Sequence, residues 1–318
     1  MTTRNQNLER ADLAIDQLDT NGGLLSPDQS KTFIDMILDQ PTVLPQARVV
    51  RMNAPEVKIN RMGFGSRILR AARNAPGLGA EDDGSNGRWV RKAERAAPQT
   101  AQITLRDSEI IAEVRLPYEV LEDNIEGASV EAHIMRLIAQ RAALDLEEFA
   151  LWADTSLAGV DPYLGLQDGW LKRGNLHVVD NLGAGVSPDV FTNAMLAMPQ
   201  KYLRDLSAMR GWVSLQNTIR YRQLVAKRQT GYGDSALQNN IPLMAGGLQI
   251  EGAAALAFDN IGSRGLVTVP NNLLFGIRRD ISVETDRDIR ARERIIVLTM
   301  RAALQIDDAD AVVTLENI

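Results

Sequence analysis

Cysteine is absent from the 318 residues, which removes disulfides, thiolate zinc sites and cysteine nucleophiles together. Whatever strength the protein has is non-covalent or uses another residue type. Histidine is nearly absent as well, with only His133 and His177, so a three-histidine metal site within one chain is impossible and serine–histidine chemistry has two candidate bases. No apolar run reaches about 18 residues, and Met1 to Arg10 is polar, without the apolar centre of a signal peptide. The expectation is a soluble protein made in a cytoplasm, with no membrane partner. An excess of positive charge is also missing. The 35 Lys and Arg stand against 41 Asp and Glu, a net charge of −6, so the molecule as a whole should repel polyanions and is not expected to read nucleic-acid sequence.

What is present is ordinary globular material: a hydrophobic share of 45% and a charged share of 24%, which exclude wholesale disorder and fibrous classes. At roughly 100 to 200 residues per domain the length allows two or three compact units. Leu8, Ala11, Ile15 and Leu18 recur at helical spacing with acids between them, an amphipathic stripe that needs something to lie on. Ser26-Pro27-Asp28-Gln29 then announces a second short helix through Phe33, Ile34 and Ile37: a capping serine, proline at the first helical position and Gln three residues after the cap. Between the two, Asp19-Thr20-Asn21-Gly22 faintly imitates a calcium loop, but its first ligand position would be Gln17; a plain turn is the better reading.

The stretch from about residue 48 to 117 is the most informative. Val49 to Met62 contains the alternation Val57, Ile59. Thr100 to Pro117 alternates Ile103, Leu105 and then Ile110, Ala112, Val114, Leu116 with polar residues between. Both arms read as strands. The Gly-rich polar segment Asn74 to Arg88 between them has too little apolar surface to order itself, so the whole reads as a long hairpin with a mobile tip. At about 3.3 Å per residue each arm could reach roughly 45 to 60 Å, against a radius of gyration of about 20 Å for a compact chain of this size. Extended throughout, the hairpin would project, and a lone ribbon is marginal in water. A second subunit that receives it is the expected remedy. Arg48 to Arg95 holds nine arginines, whereas residues 1 to 47 carry seven acids against three bases. Such opposite charge suits pairing between copies; equally, it could simply solvate exposed faces.

Beyond the hairpin, Ser129 caps the strongest helical stripe, Val130, Ile134, Leu137, Ile138, Ala142, Phe149 and Trp152 over about 25 residues, the spine of a domain. His133 lies in its first turn with no second histidine nearby, which favours a structural role. Ser187-Pro188-Asp189 starts another helix, a third is expected from about Thr218 to Arg228, and Gln229 to Pro242 reads as a loop. From Leu248 onward strands dominate: Leu266 to Val269, Leu273 to Ile277, Ile281 to Glu284, Ile295 to Thr299 and Val312 to Leu315. Helices inserted among antiparallel strands make an α+β chain.

Motifs of chemistry are sparse. None of the six lysines follows a glycine, so no phosphate loop occurs. Gly183-Ala184-Gly185-Val186-Ser187-Pro188 lacks the third glycine and the preceding strand of a dinucleotide fingerprint, and G-x-S-x-G and H-E-x-x-H are missing. Asp286 with Asp288, and Asp307, Asp308 and Asp310, could hold magnesium, but each group lies between expected strands where Asp forms turns. Arg88-Trp89-Val90-Arg91 could stack a base; an anchor to a neighbouring subunit suits aromatic and arginine residues better. No catalytic residue, cofactor or metal is therefore assigned. The inter-subunit contact candidates are Arg61, Arg67, Arg70, Arg88, Trp89, Arg91 and Lys92.

Taken in order, an acidic helical arm, a Gly-Gly-Leu-x-x-Pro turn (Gly22, Gly23, Leu24, Pro27), a long hairpin, a spine helix, a helix-containing central domain and a strand-rich return resemble the major capsid proteins of tailed bacteriophages, the Hong Kong 97 type of fold. Gly165-Leu166, Gly211-Trp212-Val213-Ser214 and the closing Asp308-Ala309-Asp310-Ala311-Val312-Val313 add local matches. The weight lies in their succession along nearly the whole chain. The resemblance implies an N-terminal arm at 1–47, an extended loop at 48–99, a peripheral domain at 100–186 and 278–302, and an axial domain at 187–277 and 303–318. It implies a non-enzymatic protein that builds hexamers and pentamers of an icosahedral shell around double-stranded DNA in a virion, assembled in the bacterial cytoplasm with scaffold and portal proteins and optionally a decoration protein. One branch of such proteins joins subunits by a lysine–asparagine isopeptide bond. Lys92 lies in the loop, but Arg278 to Arg301 holds no asparagine, which argues against it. Some members carry a fused scaffolding segment of about a hundred residues before the Gly-Gly turn; here about twenty precede it, which suggests a separate scaffold or earlier trimming. Two alternatives stay open: a cellular nanocompartment shell of the encapsulin kind, and an unrelated magnesium enzyme using Asp286, Asp288 or Asp308.

Overall fold

The computed structural model describes residues 41–64, 67–69, 99–117, 129–227, 242–257 and 263–318. The expected helices before residue 41, the loop tip and the hairpin's tryptophan lie outside them.

Two sheets and one ribbon organise the described residues. The strands are β1 (Arg48–Arg51), β2 (Glu56–Gly63), β3 (Gln99–Arg106), β4 (Ser108–Pro117), β5 (Val178–Asp180), β6 (Arg210–Ser214), β7 (Leu243–Ala245), β8 (Leu248–Ala253), β9 (Gly265–Thr268), β10 (Leu273–Asp288), β11 (Glu293–Ile306) and β12 (Val312–Glu316). The helices are α1 (Ser129–Trp152), α2 (Trp170–Arg173), α3 (Pro188–Ala197) and α4 (Leu215–Ala226). One sheet has the order β1-β10-β11-β4, the other β5-β12-β9-β6-β8-β7, and among the described residues β2 pairs with β3.

The four-stranded sheet carries α1. At 1.5 Å per residue its 24 residues span about 36 Å. It buries Ala139, Ala143, Leu146, Phe149, Ala150 and Trp152 in one cluster with Val283, Ile296, Leu298 and Met300 of β10 and β11. That cluster also takes in Trp212, Ala253 and Leu266 of the six-stranded sheet, so the two lobes share a core. A second core, with Phe191, Tyr221, Leu248 and Val313 among its members, lies between α3, α4 and the six-stranded sheet. Phe191 and Tyr221 meet there edge to face, 5.5 Å between ring centroids.

Local chemistry explains the element ends. Pro188 opens α3 at its first turn after an extended Ser187, although that serine makes no side-chain cap bond. Ser214 does cap α4, its Oγ accepting the Asn217 N–H at 3.3 Å, and α4 therefore begins before Thr218. Gly246 and Gly247, with φ of 58° and 93°, form the two-residue turn from β7 to β8, where both central residues must enter the left-handed region.

The structure corrects the hairpin arms. Residues Val49 to Met62 and Thr100 to Pro117 do not pair along their length. The ribbon is Glu56–Gly63 against Gln99–Arg106, eight residues a side, or about 26 Å. β1 instead runs parallel to β10, and β4 pairs along its length with β11. Alternation marks which face a strand buries, not which strand it pairs with. Leu273 to Ile277 and Ile281 to Glu284 are likewise one strand, interrupted by register shifts at Ile277/Arg279 and Arg279/Ser282. A bulge lets the polar Arg278-Arg279-Asp280 pass without ending the ladder.

Candidate assembly surface

Where the ribbon leaves the body, its sequence alternation becomes a docking face. Val57 stands opposite Leu105 and Ile59 opposite Ile103. Leu105 is fully buried with Met52, Leu274 and Ala303, and Val57, Ile59 and Ile103 pack around them. Gly276 of β10 makes the close approach possible: a Cβ there would lie 2.7 Å from the Met52 sulfur and 2.9 Å from the Ala303 Cβ. The ribbon root thus rests on its own chain.

Arg61 continues that inward face. Its Nη1 donates to the Asp307 carbonyl at 2.6 Å and its Nη2 to Asp308 Oδ2 at 2.6 Å. The Tyr202 hydroxyl donates to the same Asp308 oxygen, and Lys201 sits 4.5 Å over the Tyr202 ring. Burial pushes the Asp308 carboxyl up, but the hydrogen bonds from Tyr202 and Arg61 outweigh it and hold it below the ordinary carboxylate range. Gln305 Nε2 donates to the Thr104 carbonyl at 3.0 Å. At the bend between β3 and β4, the Asp107 N–H donates to Pro55 O at 3.1 Å, while its carboxylate receives Arg278 Nη1 at 2.9 Å and lies 3.9 Å from Arg301 Nη1. Arg51 pairs with Asp280 beside them. These contacts fix the direction in which the ribbon departs.

Past Arg61 the pattern inverts. Met62 is 75% exposed, Phe64 and Ile68 each 56% and Leu69 84%, and Arg67 is exposed beside them. Four large apolar side chains thus stand exposed within eight residues at and just beyond the end of β2.

Of the seven contact candidates, the structure gives Arg61 an anchoring role within its own chain that sequence reasoning missed. Its place on the Val57–Ile59 face was the available signal. Arg67 lies on the exposed outer stretch. Arg70, Arg88, Trp89, Arg91 and Lys92 fall outside the described residues, as does the acidic segment before residue 41. The side chain of His133 is outside them too.

Of the acidic groups, Asp286 and Asp288 lie within β10, opposite Ile295 and Glu293, and not between strands as expected. Asp286 Oδ1 accepts the Arg287 N–H at 2.7 Å, and Asp288 Oδ1 accepts those of Arg290 and Ala291 at 2.9 and 3.1 Å, closing the turn into β11. Asp308 serves Arg61 and Tyr202. Among the described residues no group of three His, Cys, Asp or Glu side chains could hold a metal ion. A cavity of about 410 Å³ lies between α1 and the β4 side of the sheet, lined by Ile110, Ile111, Leu146, Tyr163, Leu298 and Met300 among others. No helix among the described residues is long and apolar enough to cross a membrane.

A long helix on a four-stranded sheet, a second lobe and an outgoing ribbon together form the fold of phage capsid proteins. A chain of the satellite phage P4 procapsid including size determination (Sid) protein superposes with a TM-score of 0.62 at 15% identity, over 100% of this chain and 98% of that one. A Microbacterium phage Oxtober96 chain gives 0.59 at 14% identity over 87% and 91%. The capsid of a native GTA particle gives 0.58 at 18% over 86% and 89%. No family model matches the chain. The Bacillus subtilis (strain 168) protein named "Putative prophage capsid protein YqbE" is 37% identical over 318 residues, 97% of each chain. This chain belongs to that family of prophage capsid proteins.

Proposed function

We propose that this capsid protein is the major shell subunit of a tailed phage or prophage head, arranged as hexamers and pentamers of an icosahedral container for double-stranded DNA. In this reading residues 1–47 are the N-terminal arm, 48–99 the extended loop, 100–186 with 278–302 the peripheral domain around α1, and 187–277 with 303–318 the axial domain. The protein works by self-association and not by catalysis. A scaffold and a portal are its partners, with room for a decoration protein, and assembly takes place in the bacterial cytoplasm. Its net charge of −6 suits a lining that must not bind the genome tightly.

One observation carries the reading: the ribbon is clamped to its own body as far as Arg61, whereas Met62, Phe64, Ile68 and Leu69 beyond it stand exposed. A neighbouring copy is the natural cover for such a surface. Many modest contacts of this kind, repeated by symmetry, close a shell. Arg67, Arg70, Arg88, Trp89, Arg91 and Lys92 are proposed to flank the contact.

The test is expression with and without the scaffold, followed by negative-stain imaging. Closed particles are expected from the wild-type chain, and none from a Phe64→Ser/Leu69→Ser variant whose monomer melts at the wild-type temperature. Normal particles from that variant would remove the ribbon's outer end from assembly. A genome-length duplex inside particles recovered from lysing cells is expected; protein cargo in its place would favour a nanocompartment.

A further inference from the structure

The first described residues, Pro41 to Ala47, form a wedge between the two lobes. Val43 and Leu44 are both fully buried, in the cluster shared by Ala143, Leu146 and Ala150 of α1 and Ala253 and Leu256 of the other lobe. Residues Leu44–Gln46 make one turn of 3-10 helix, and Val43, at its N-cap, offers no side-chain cap. The first N–H groups of such a turn have no partner within it.

Glu147, 104 residues along the chain, supplies one. It is 1% exposed. Its Oε2 accepts the Val43 N–H at 3.3 Å. From the opposite lobe Glu251 takes hold of the other end of the turn. Its Oε2 accepts from Gln46 Nε2 at 2.6 Å, and that nitrogen also donates to Thr42 O at 3.0 Å. Glu251 is itself held by Gln249 Nε2 at 3.0 Å and Arg210 Nε at 3.3 Å.

An apolar side chain at 147 would fill the core at less cost than a carboxylate, whose burial is unfavourable without hydrogen bonds. What the carboxylate adds is direction: its bond to the Val43 N–H holds the backbone there in one orientation. We infer that Glu147 is the positioning residue for the N-terminal arm, setting where and at what angle residues 1–40 leave the body, and through that which neighbours the arm meets in the shell. The inference rests on reading residues 1–47 as that arm.

The experiment uses the full chain and three forms: wild type, Glu147→Gln and Glu147→Leu. Amide exchange read by mass spectrometry on peptides covering 41–47 should rise at least tenfold in Glu147→Leu, with protection of β10 and β11 unchanged. Glu147→Gln, which keeps shape and one acceptor, should fall between. Particles from Glu147→Leu should depart from the wild-type size distribution, and Glu147→Gln should restore it in part. Unchanged exchange at 41–47 overturns the clasp. Raised exchange with wild-type particles overturns the arm-positioning role. If Glu147→Leu does not fold, the Glu147→Gln arm decides on the same two readouts. Failure of the wild-type chain itself to form particles refutes the shell function instead, and the clasp is then judged on exchange and on the rate at which protease removes residues 1–40.

Discussion

Arg61 and Asp308 form a pair whose side chains are 36% and 21% exposed, so its worth is set by geometry more than by charge. Exposed pairs contribute up to about 1 kcal/mol. The bond from Tyr202 to the same carboxylate raises the stake, since Asp308→Asn disturbs two donors at once. Arg61→Ala is expected to lower the monomer's stability by about 1 kcal/mol in denaturant titration, and Asp308→Asn by at least as much. Asp154 offers a cleaner pH signal. The hydrogen bond from Lys172, with further ones from Ser156, holds its carboxyl down to about 2 from an ordinary 3.8. A depressed folded value means that the contribution is present above the unfolded pKa and is lost as pH falls towards about 2. Asp154→Asn should therefore flatten the acid limb of the stability curve between about pH 4 and 2, with little change at higher pH. Glu147 has the opposite sign. Burial raises its carboxyl despite the backbone N–H groups around it, so its contribution is fullest below the ordinary carboxylate pKa and declines as pH rises through the raised value. The long-range partners among these could not be read from the sequence. Residues 61 and 308, or 43 and 147, are far apart along the chain, and no local pattern reports a long-range acceptor.

The ribbon shows how far periodicity reaches at the scale of elements. Val57, Ile59, Ile103 and Leu105 announced two strands with one apolar face, and they are cross-strand partners. The same alternation runs on through Ile110, Val114 and Leu116, yet there the partner is β11. A single residue, Asp107, separates the two, and its role appears only when Arg278 and Arg301 arrive from elsewhere in the chain. The long helix was legible for a different reason, since a stripe repeated over 24 residues has few other solutions. Residue pattern marks only Ile295 to Thr299 of β11, which has fourteen residues, because Arg301-Ala302-Ala303 is neither β-branched nor alternating and is held in the sheet by its neighbours. The ribbon root invites one more test. Leu105 is fully buried in a small cluster, so Leu105→Ala should cost about 2 to 5 kcal/mol. It should also raise amide exchange in β2 and β3 more than in β10 or α1. Equal loosening everywhere would show that the ribbon root is not a local unit.

For the whole molecule, two forces could draw copies together, and they respond oppositely to salt. The outer ribbon offers apolar side chains, while the sequence carries nine arginines from 48 to 95 and seven acids against three bases in 1–47. The succession of elements points to a shell protein but not to the force that dominates encounter, because a charge run is as readily solvated as paired. Screening separates the two. The Debye length falls from about 30 Å at 0.01 M to about 3 Å at 1 M salt, which weakens steering between opposite charges, whereas apolar burial is left intact or strengthened by excluded salts. If arm and loop of neighbouring copies attract, the initial rate of particle growth followed by light scattering should fall at least tenfold from about 0.05 to 0.5 M sodium chloride. Particles already closed should survive the same transfer, since their many contacts act together. Replacing Asp12, Asp16 and Asp19 by asparagine should then reduce the salt dependence while leaving the rate at high salt unchanged. A growth rate that is flat or rises with salt would assign encounter to Phe64, Ile68 and Leu69, and the charges to solvation alone.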